Sequence, residues 1–250
     1  MLSKNKIKYI KSLDLKKNRK EDNVFVAEGH KTVDELINYF TCKLIVATSL
    51  WISNHQNVKA DEIIEVTQEE LNKISFQKTP QEVLAIFSQP QYGLDSDIPK
   101  QNLCLALDDV QDPGNLGTII RVADWFGIEN IFCSIGTVDA YNPKTIQATM
   151  GAIARVKIHY CNLEQFLSSL KDIPIYGTFL EGDIIYSEKL SINGVIIMGN
   201  EGKGISHDIE KCVTKKLYIP NYPIERSTSE SLNVAMATGI ICSEFRRRLL

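Results

Sequence analysis

The sequence lacks a charge surplus: 28 Lys and Arg stand against 31 Asp and Glu in 250 residues, a formal charge of −3. That excludes a histone-like or generally basic binder. No apolar run approaches the ~20 residues of a membrane-spanning helix, since the longest, at 103–107 and 195–198, are strand-sized. The amino-terminal stretch MLSKNKIKYIKSL has Lys scattered through it and no continuous apolar segment, so no secretory signal is expected and the protein reads as cytoplasmic. The six cysteines lie far apart without a C-x-x-C pair, and the four histidines lack an H-E-x-x-H. Neither a disulfide framework nor a metal site is therefore expected. Repeats and low-complexity tracts are missing too. What is present, 44% hydrophobic and 24% charged residues, is an ordinary globular composition with chain enough for one large domain or two smaller ones.

Apolar runs and amphipathic stretches alternate throughout, the pattern of an α/β protein. In the first part, residues 4–13 and 31–40 read as helices and 24–27, 44–47, 63–66 and 83–87 as short strands, together a small α/β domain over 1–90. The segment SQPQYGLDSDIPKQ, with two Pro and one Gly, reads as a linker, taken as 91–101. From 102 to 250, strands are expected at 103–107, 130–134, 156–160, 175–178, 195–198 and 217–219, with helices at 116–126 and 231–247. Such alternation predicts a mostly parallel, doubly wound sheet.

Ligands bind such sheets at the carboxyl ends of strands, and three polar clusters follow strands here. In the first, DDVQDPGNLGTIIRVADWFG, Asn115 and Arg121 lie six residues apart and Gly114 and Gly117 permit close backbone approach. An Arg in this place can reach a phosphate, although the cluster alone reads more simply as a turn and cap with Arg121 on a solvated helix face. The second, VIIMGNEGKGIS, fails the P-loop pattern because Gly204 follows Lys203, and it lacks the dinucleotide spacing. It reads as a flexible, backbone-rich loop able to wrap an adenine or ribose. The third, LYIPNYPIERSTSESLNVAMATGIICSEFRRR, places Ser231 and Asn233 at a helix start, where Glu230 also suits the helix dipole and simple capping accounts for them. The terminal Arg246, Arg247 and Arg248 read as a solvated helix end.

In this order the clusters resemble the three motifs of the SpoU/TrmH family of RNA ribose 2′-O-methyltransferases, through GNLGTIIRVADWFG, MGNEGKGIS and IPN with SESLNVAMATGI. VFVAEGHKTVDELI and KTPQEVLAIF resemble the small substrate-binding domain that many members carry. The resemblance implies an α/β fold with a trefoil-knotted, parallel-sheet carboxy-terminal domain, a smaller L30e-like amino-terminal domain, S-adenosylmethionine as cofactor and a homodimer joined through the second domain. It implies catalytic roles for Arg121, Glu201, Asn115, Ser231 and Asn233, and cofactor contacts at Thr178, Gly199, Asn200, Gly202, Ile219 and Leu232. One departure is the ten-residue NYPIERSTSE of the third motif, longer than the family's short Gly-containing connection.

A guanidinium, with a pKa above about 12, is a poor general base. Arg121 is therefore expected to position phosphate and stabilise a developing alkoxide, while Glu201 or a phosphate oxygen takes the proton. RNA contact is expected from Lys4, Lys6, Lys8, Lys11, Lys16, Lys17, Arg19 and Lys20, among which Asp14 is the one acid. The expected substrate is rRNA, with tRNA or a non-catalytic RNA-binding or ribosome-binding role as alternatives.

Overall fold

The computed structural model describes residues 2–223, 226 and 231–249. In chain order these form α1 (Lys4–Ser12), α2 (Lys16–Asp22), β1 (Val24–Glu28), α3 (His30–Leu36), β2 (Cys42–Ala47), α4 (Ser49–Asn54), β3 (Glu62–Glu65), α5 (Gln68–Ile74) and β4 (Val83–Ser88). There follow α6 (Ile98–Gln101), β5 (Leu103–Leu107), α7 (Pro113–Trp125), β6 (Asn130–Ser134), α8 (Pro143–Thr149), β7 (Lys157–Cys161), α9 (Leu163–Ser169), β8 (Ile175–Ile184), β9 (Gly194–Met198), α10 (His207–Glu210), β10 (Lys215–Tyr218) and α11 (Val234–Arg247). The chain divides into two compact units, one of Met1–Gln91 with Asp139–Ala154, the other of Tyr92–Val138 with Arg155–Leu250.

The first unit is a four-stranded mixed sheet in the order β1-β4-β2-β3, with β4 antiparallel to β1 and β2 and β3 parallel to β2. Side chains alternate across the sheet. Val24, Val26, Leu44, Val46, Leu84 and Ile86 bury one face with Ile10, Leu13, Leu71 and Ile74 of the flanking helical segments. On the other face Phe25 packs against Phe40, Phe87 and Tyr141, with ring centroids 5.1–5.5 Å apart. Tyr141 lies in the second segment of this unit, which the sequence reading assigned to the 102–250 domain. Arg19, 1% exposed, joins the segments as well: it donates to the carbonyls of Leu13 and Asp14 and pairs with Asp139 at 2.6 Å.

Arg19 is thus structural rather than part of an open basic stripe. Lys6 pairs with Glu62, and Lys11 donates to the Ser75 carbonyl over the Phe76 ring. Helix α2 was not foreseen, because KKNRKED carries no apolar periodicity. Helix α3 stops at Leu36 rather than running to 40, with the Asn38 side chain donating to the Asp34 carbonyl that further helix would use.

The second unit holds a six-stranded, wholly parallel sheet in the order β10-β8-β9-β5-β6-β7. The chain winds outward from β5 through β6 and β7, then returns to the other side of β5 with β8, β9 and β10. The reversal sets the loops after β5 and β9 side by side, the place where open parallel sheets bind ligands. One face packs Cys104, Ala106, Phe132, Val195 and Ile197 against Phe166, Leu167 and Leu170 of the α9 region. Helices α7 and α11 pack together, and Arg246 ties their ends by donating to the carbonyls of Phe126 and Gly127. Arg247 and Arg248 lie exposed at this helix end, as expected, while binding the buried Glu244. The stretch 91–101 is not plain linker, since α6 forms in it with Pro99 in its first turn. Among the described residues no helix is long and apolar enough to cross a membrane.

Candidate active site

The first cluster folds into the entry of α7. Pro113 occupies the first turn, and the Asp112 carboxylate accepts from the Asn115 amide at 2.8 Å, so the residues read as a turn are the helix's own first turn. Asn115 therefore sits inside the helix, one turn from its positive end. Arg121 follows about 9 Å along the axis, at 1.5 Å per residue. It is exposed and makes no hydrogen bond or ion pair among the described residues.

The second cluster is a closed loop, not a flexible one. Asn200 and Gly204 exchange both backbone hydrogen bonds at 2.9 Å, while the Asn200 side chain accepts from the amides of Gly202 and Lys203 and donates to the Asp109 carbonyl at 2.7 Å. Gly199 is required by space: a Cβ there would lie 2.2 Å from a backbone carbon of Gly204. Gly204 is required by its φ of +69°. With its polar atoms spent on the loop and on the Asp109 carbonyl, Asn200 is a builder of the site. Ser206 fixes the far end, its amide donating to buried Asp108 at 2.7 Å.

This closure aims Glu201 back at the start of α7. Its carboxylate accepts from the amides of Gln111 at 3.2 Å and Asp112 at 3.1 Å and from the Asn115 side chain at 3.0 Å. Burial pushes its pKa up, but the Asn115 side chain and backbone amides outweigh burial, and the carboxyl is held below its usual value.

The third cluster completes a relay. Asn233 caps α11 by accepting from the amides of Ala235 and Met236, and its Nδ2 donates to Asn115 Oδ1 at 2.9 Å. Residues from all three clusters therefore touch in the order Asn233, Asn115, Glu201. The helix begins at Val234 rather than 231. Ser231 is exposed, outside the relay, and makes no hydrogen bond among the described residues. Glu230 lies outside the described residues, as does most of the long connection before it.

Of the residues expected to hold a cofactor, Gly199, Asn200 and Gly202 follow β9 and Ile219 follows β10, whereas Thr178 lies within β8 and Leu232 precedes α11. Thr178 follows the point where β10 stops pairing at Gly177; pairing resumes at Asp183, so residues 178–182 form an irregular, bulged stretch of β8. Its hydroxyl donates to the Ile197 carbonyl at 3.1 Å, on the strand that leads into Gly199. Ile219 directly follows β10 and is half-buried, while Leu232 is 51% exposed. Gln111, Asp112, Asp108 and Asp109 escaped the sequence reading as site builders. Their signal was the acidic pair closing LCLALDD and the cap residue before a Pro.

The model of the SpoU rRNA Methylase family matches residues 102–243, and that of the MRM3-like substrate binding domain matches 4–85. The 23S rRNA (guanosine(2553)-2'-O)-methyltransferase RlmP of Bacillus subtilis is 30% identical over 249 residues, covering 96% of both chains. The structure of a TrmH-family protein from Porphyromonas gingivalis superposes with a TM-score of 0.90 at 38% identity over 99% of each chain. An AdoMet-bound rRNA methyltransferase from Sinorhizobium meliloti gives 0.86 at 31% identity over 100% of this chain and 97% of that one.

Proposed function

Because the chain belongs to the SpoU rRNA methylase family, we propose that it transfers a methyl group from S-adenosylmethionine to a ribose 2′-hydroxyl of ribosomal RNA. The observation that carries this reading is the relay Asn233–Asn115–Glu201, which binds the three clusters into one site at the sheet's switch point. The residues fit the cofactor: Ile219 and Leu232 offer apolar surface, and Thr178, Gly199 and Gly202 offer backbone groups without charged side chains of their own. When bound, it supplies a methyl carbon activated on a sulfonium.

The chain's residues would hold the ribose 2′-hydroxyl in line with that carbon and direct its proton to an acceptor. Arg121, free and exposed, holds the flanking phosphate and stabilises negative charge on the attacking oxygen. Because Arg121 stabilises that developing alkoxide, the proton acceptor must be well placed rather than strong. Glu201 already accepts three hydrogen bonds, which leaves it a positioning role and leaves a substrate phosphate oxygen as acceptor. Positioning supplies about 7–11 kcal/mol of barrier reduction in favourable cases.

The first unit supplies RNA contact, with Lys4, Lys8, Lys17 and Lys20 exposed on it. The enzyme works as a homodimer joined through its second unit, a reading supported by Trp125 on α7 at 84% exposure and Met236 on α11 at 63%. The family's trefoil knot belongs to the same reading, the second and third clusters being its loops. We place the reaction in the cytoplasm, in keeping with six unpaired cysteines. Incubation with methyl-labelled S-adenosylmethionine and separate rRNA and tRNA pools, followed by digestion to nucleosides, tests the proposal. Label is expected in a 2′-O-methylnucleoside from rRNA and lost with Arg121→Ala. Label in tRNA alone would replace the substrate class, and none in either would favour the non-catalytic role.

A further inference from the structure

The first unit contains a cavity of about 430 Å³ where β1, β2 and β3 end and β4 begins, within the size range of small-ligand pockets. Its wall is built by the loop ahead of β4: Thr48 donates to the Glu82 carbonyl and Gly29 to that of Val83, both at 2.9 Å. Gly29, with φ +86°, leaves room for Gln81, whose side-chain oxygen would lie 2.9 Å from a Cβ there. Trp51, 1% exposed, lines the cavity with the imidazole of His55 stacked on it, centroids 4.0 Å apart and planes 10° from parallel.

Two polar atoms in this lining lack a hydrogen-bond partner, Trp51 Nε1 and Asp34 Oδ1. The latter lies 3.1 Å from His55 Nε2, close enough for an ion pair but outside hydrogen-bonding geometry. The lining includes the carboxylates of Asp34 and Glu82 and neither Lys nor Arg. A phosphate is therefore disfavoured. A flat ligand with adjacent N–H donors is favoured, stacking on the third of the His55 side chain that remains exposed.

We propose that this cavity binds one unstacked guanine of the RNA substrate, stacked on His55 and read by the Asp34 carboxylate. Unpaired RNA bases are recognised by stacking on aromatic rings and by bonds to their Watson–Crick edge. Guanine alone presents N1–H and N2–H side by side to an acceptor-only carboxylate. The proposal rests on the reading of the protein as an RNA enzyme and names a recognition point remote in sequence from the catalytic clusters.

Fluorescence anisotropy of the full chain with labelled 12-nucleotide oligouridylates carrying one central guanosine, or inosine in its place, tests it. Inosine keeps O6 and N1–H and removes only the 2-amino donor. Guanosine RNA should bind about tenfold tighter than inosine RNA, the scale of a hydrogen bond to a charged group. Asp34→Asn should erase that difference while leaving binding of plain oligouridylate unchanged. Equal affinity for the two RNAs, a preference that survives Asp34→Asn, or no binding of any oligomer overturns the assignment. Methyl transfer to rRNA by the wild-type chain, run in parallel, keeps the outcomes separate. If transfer persists without guanine preference, only the pocket is refuted; absent transfer refutes the functional reading itself.

Discussion

The side-chain amide of Asn233 accepts two backbone hydrogen bonds at the start of α11 and donates one to Asn115. Capping and relay are separable by substitution. Asn233→Asp keeps an equally good cap but cannot donate to Asn115 and brings a second negative charge toward Glu201. We expect denaturant stability within about 0.5 kcal/mol of wild type and turnover reduced on the order of 10²-fold, read from urea titration and single-turnover methyl transfer. Equal losses in both would show capping to be the residue's whole contribution. Glu201 has a pH signature. Its folded-state pKa lies below the ordinary glutamate value of 4.5, so its stabilisation is complete above that value and lost as pH falls through the folded one. The urea-midpoint gap between wild type and Glu201→Gln should hold from pH 7 to 5 and close below 4.5; a gap unchanged down to pH 3 would refute this. Asn115, Glu201 and Asn233 were legible because polar residues that follow buried strands or open helices stand out in sequence. That three donors hold Glu201 was not legible, since two of those donors are backbone amides 89 and 90 positions away.

At the level of elements, the loop after β9 shows that its glycines serve different ends. Gly199→Ala drives a methyl into the Gly204 backbone and should cost about 3 kcal/mol, whereas Gly202→Ala has its nearest neighbour at 3.8 Å and should be neutral. Thermal melts of the two variants check the contrast; a tolerated Gly199→Ala would mean that the loop opens easily. Strand positions were readable from alternating or continuous apolar runs. Helix limits were less so, because α3 and α11 are bounded by single side-chain amides, Asn38 and Asn233, that compete for or cap backbone groups. Burial also explains the quiet cysteines: it pushes the thiols of Cys42, Cys104 and Cys242 up to about 12.

For the whole molecule, the division of the chain is the main departure from what periodicity foretold. A boundary near residue 90 follows from Pro and Gly content, yet the first unit takes back residues 139–154, with Asp139 against Arg19 and Tyr141 against Phe25. An ion pair spanning 120 positions leaves no periodic trace. Asp139→Asn in the full chain should cost about 3 kcal/mol by stranding a buried guanidinium, and a fragment ending at residue 91 should be weaker still in urea. A fragment as stable as the intact unit would show the second segment to be dispensable.

The relay also joins residues far apart along the chain: Asn115 meets Glu201 across 86 positions and Asn233 across 118. Contacts of that span form only after the intervening chain has closed its loops, later than local helices and hairpins. The pairing of β5 with β9 spans a comparable stretch of chain, so the site is assembled together with the sheet that carries it. A small separation between the starts of α7 and α11 would break the Asn233–Asn115 bond and leave the fold standing with its relay cut.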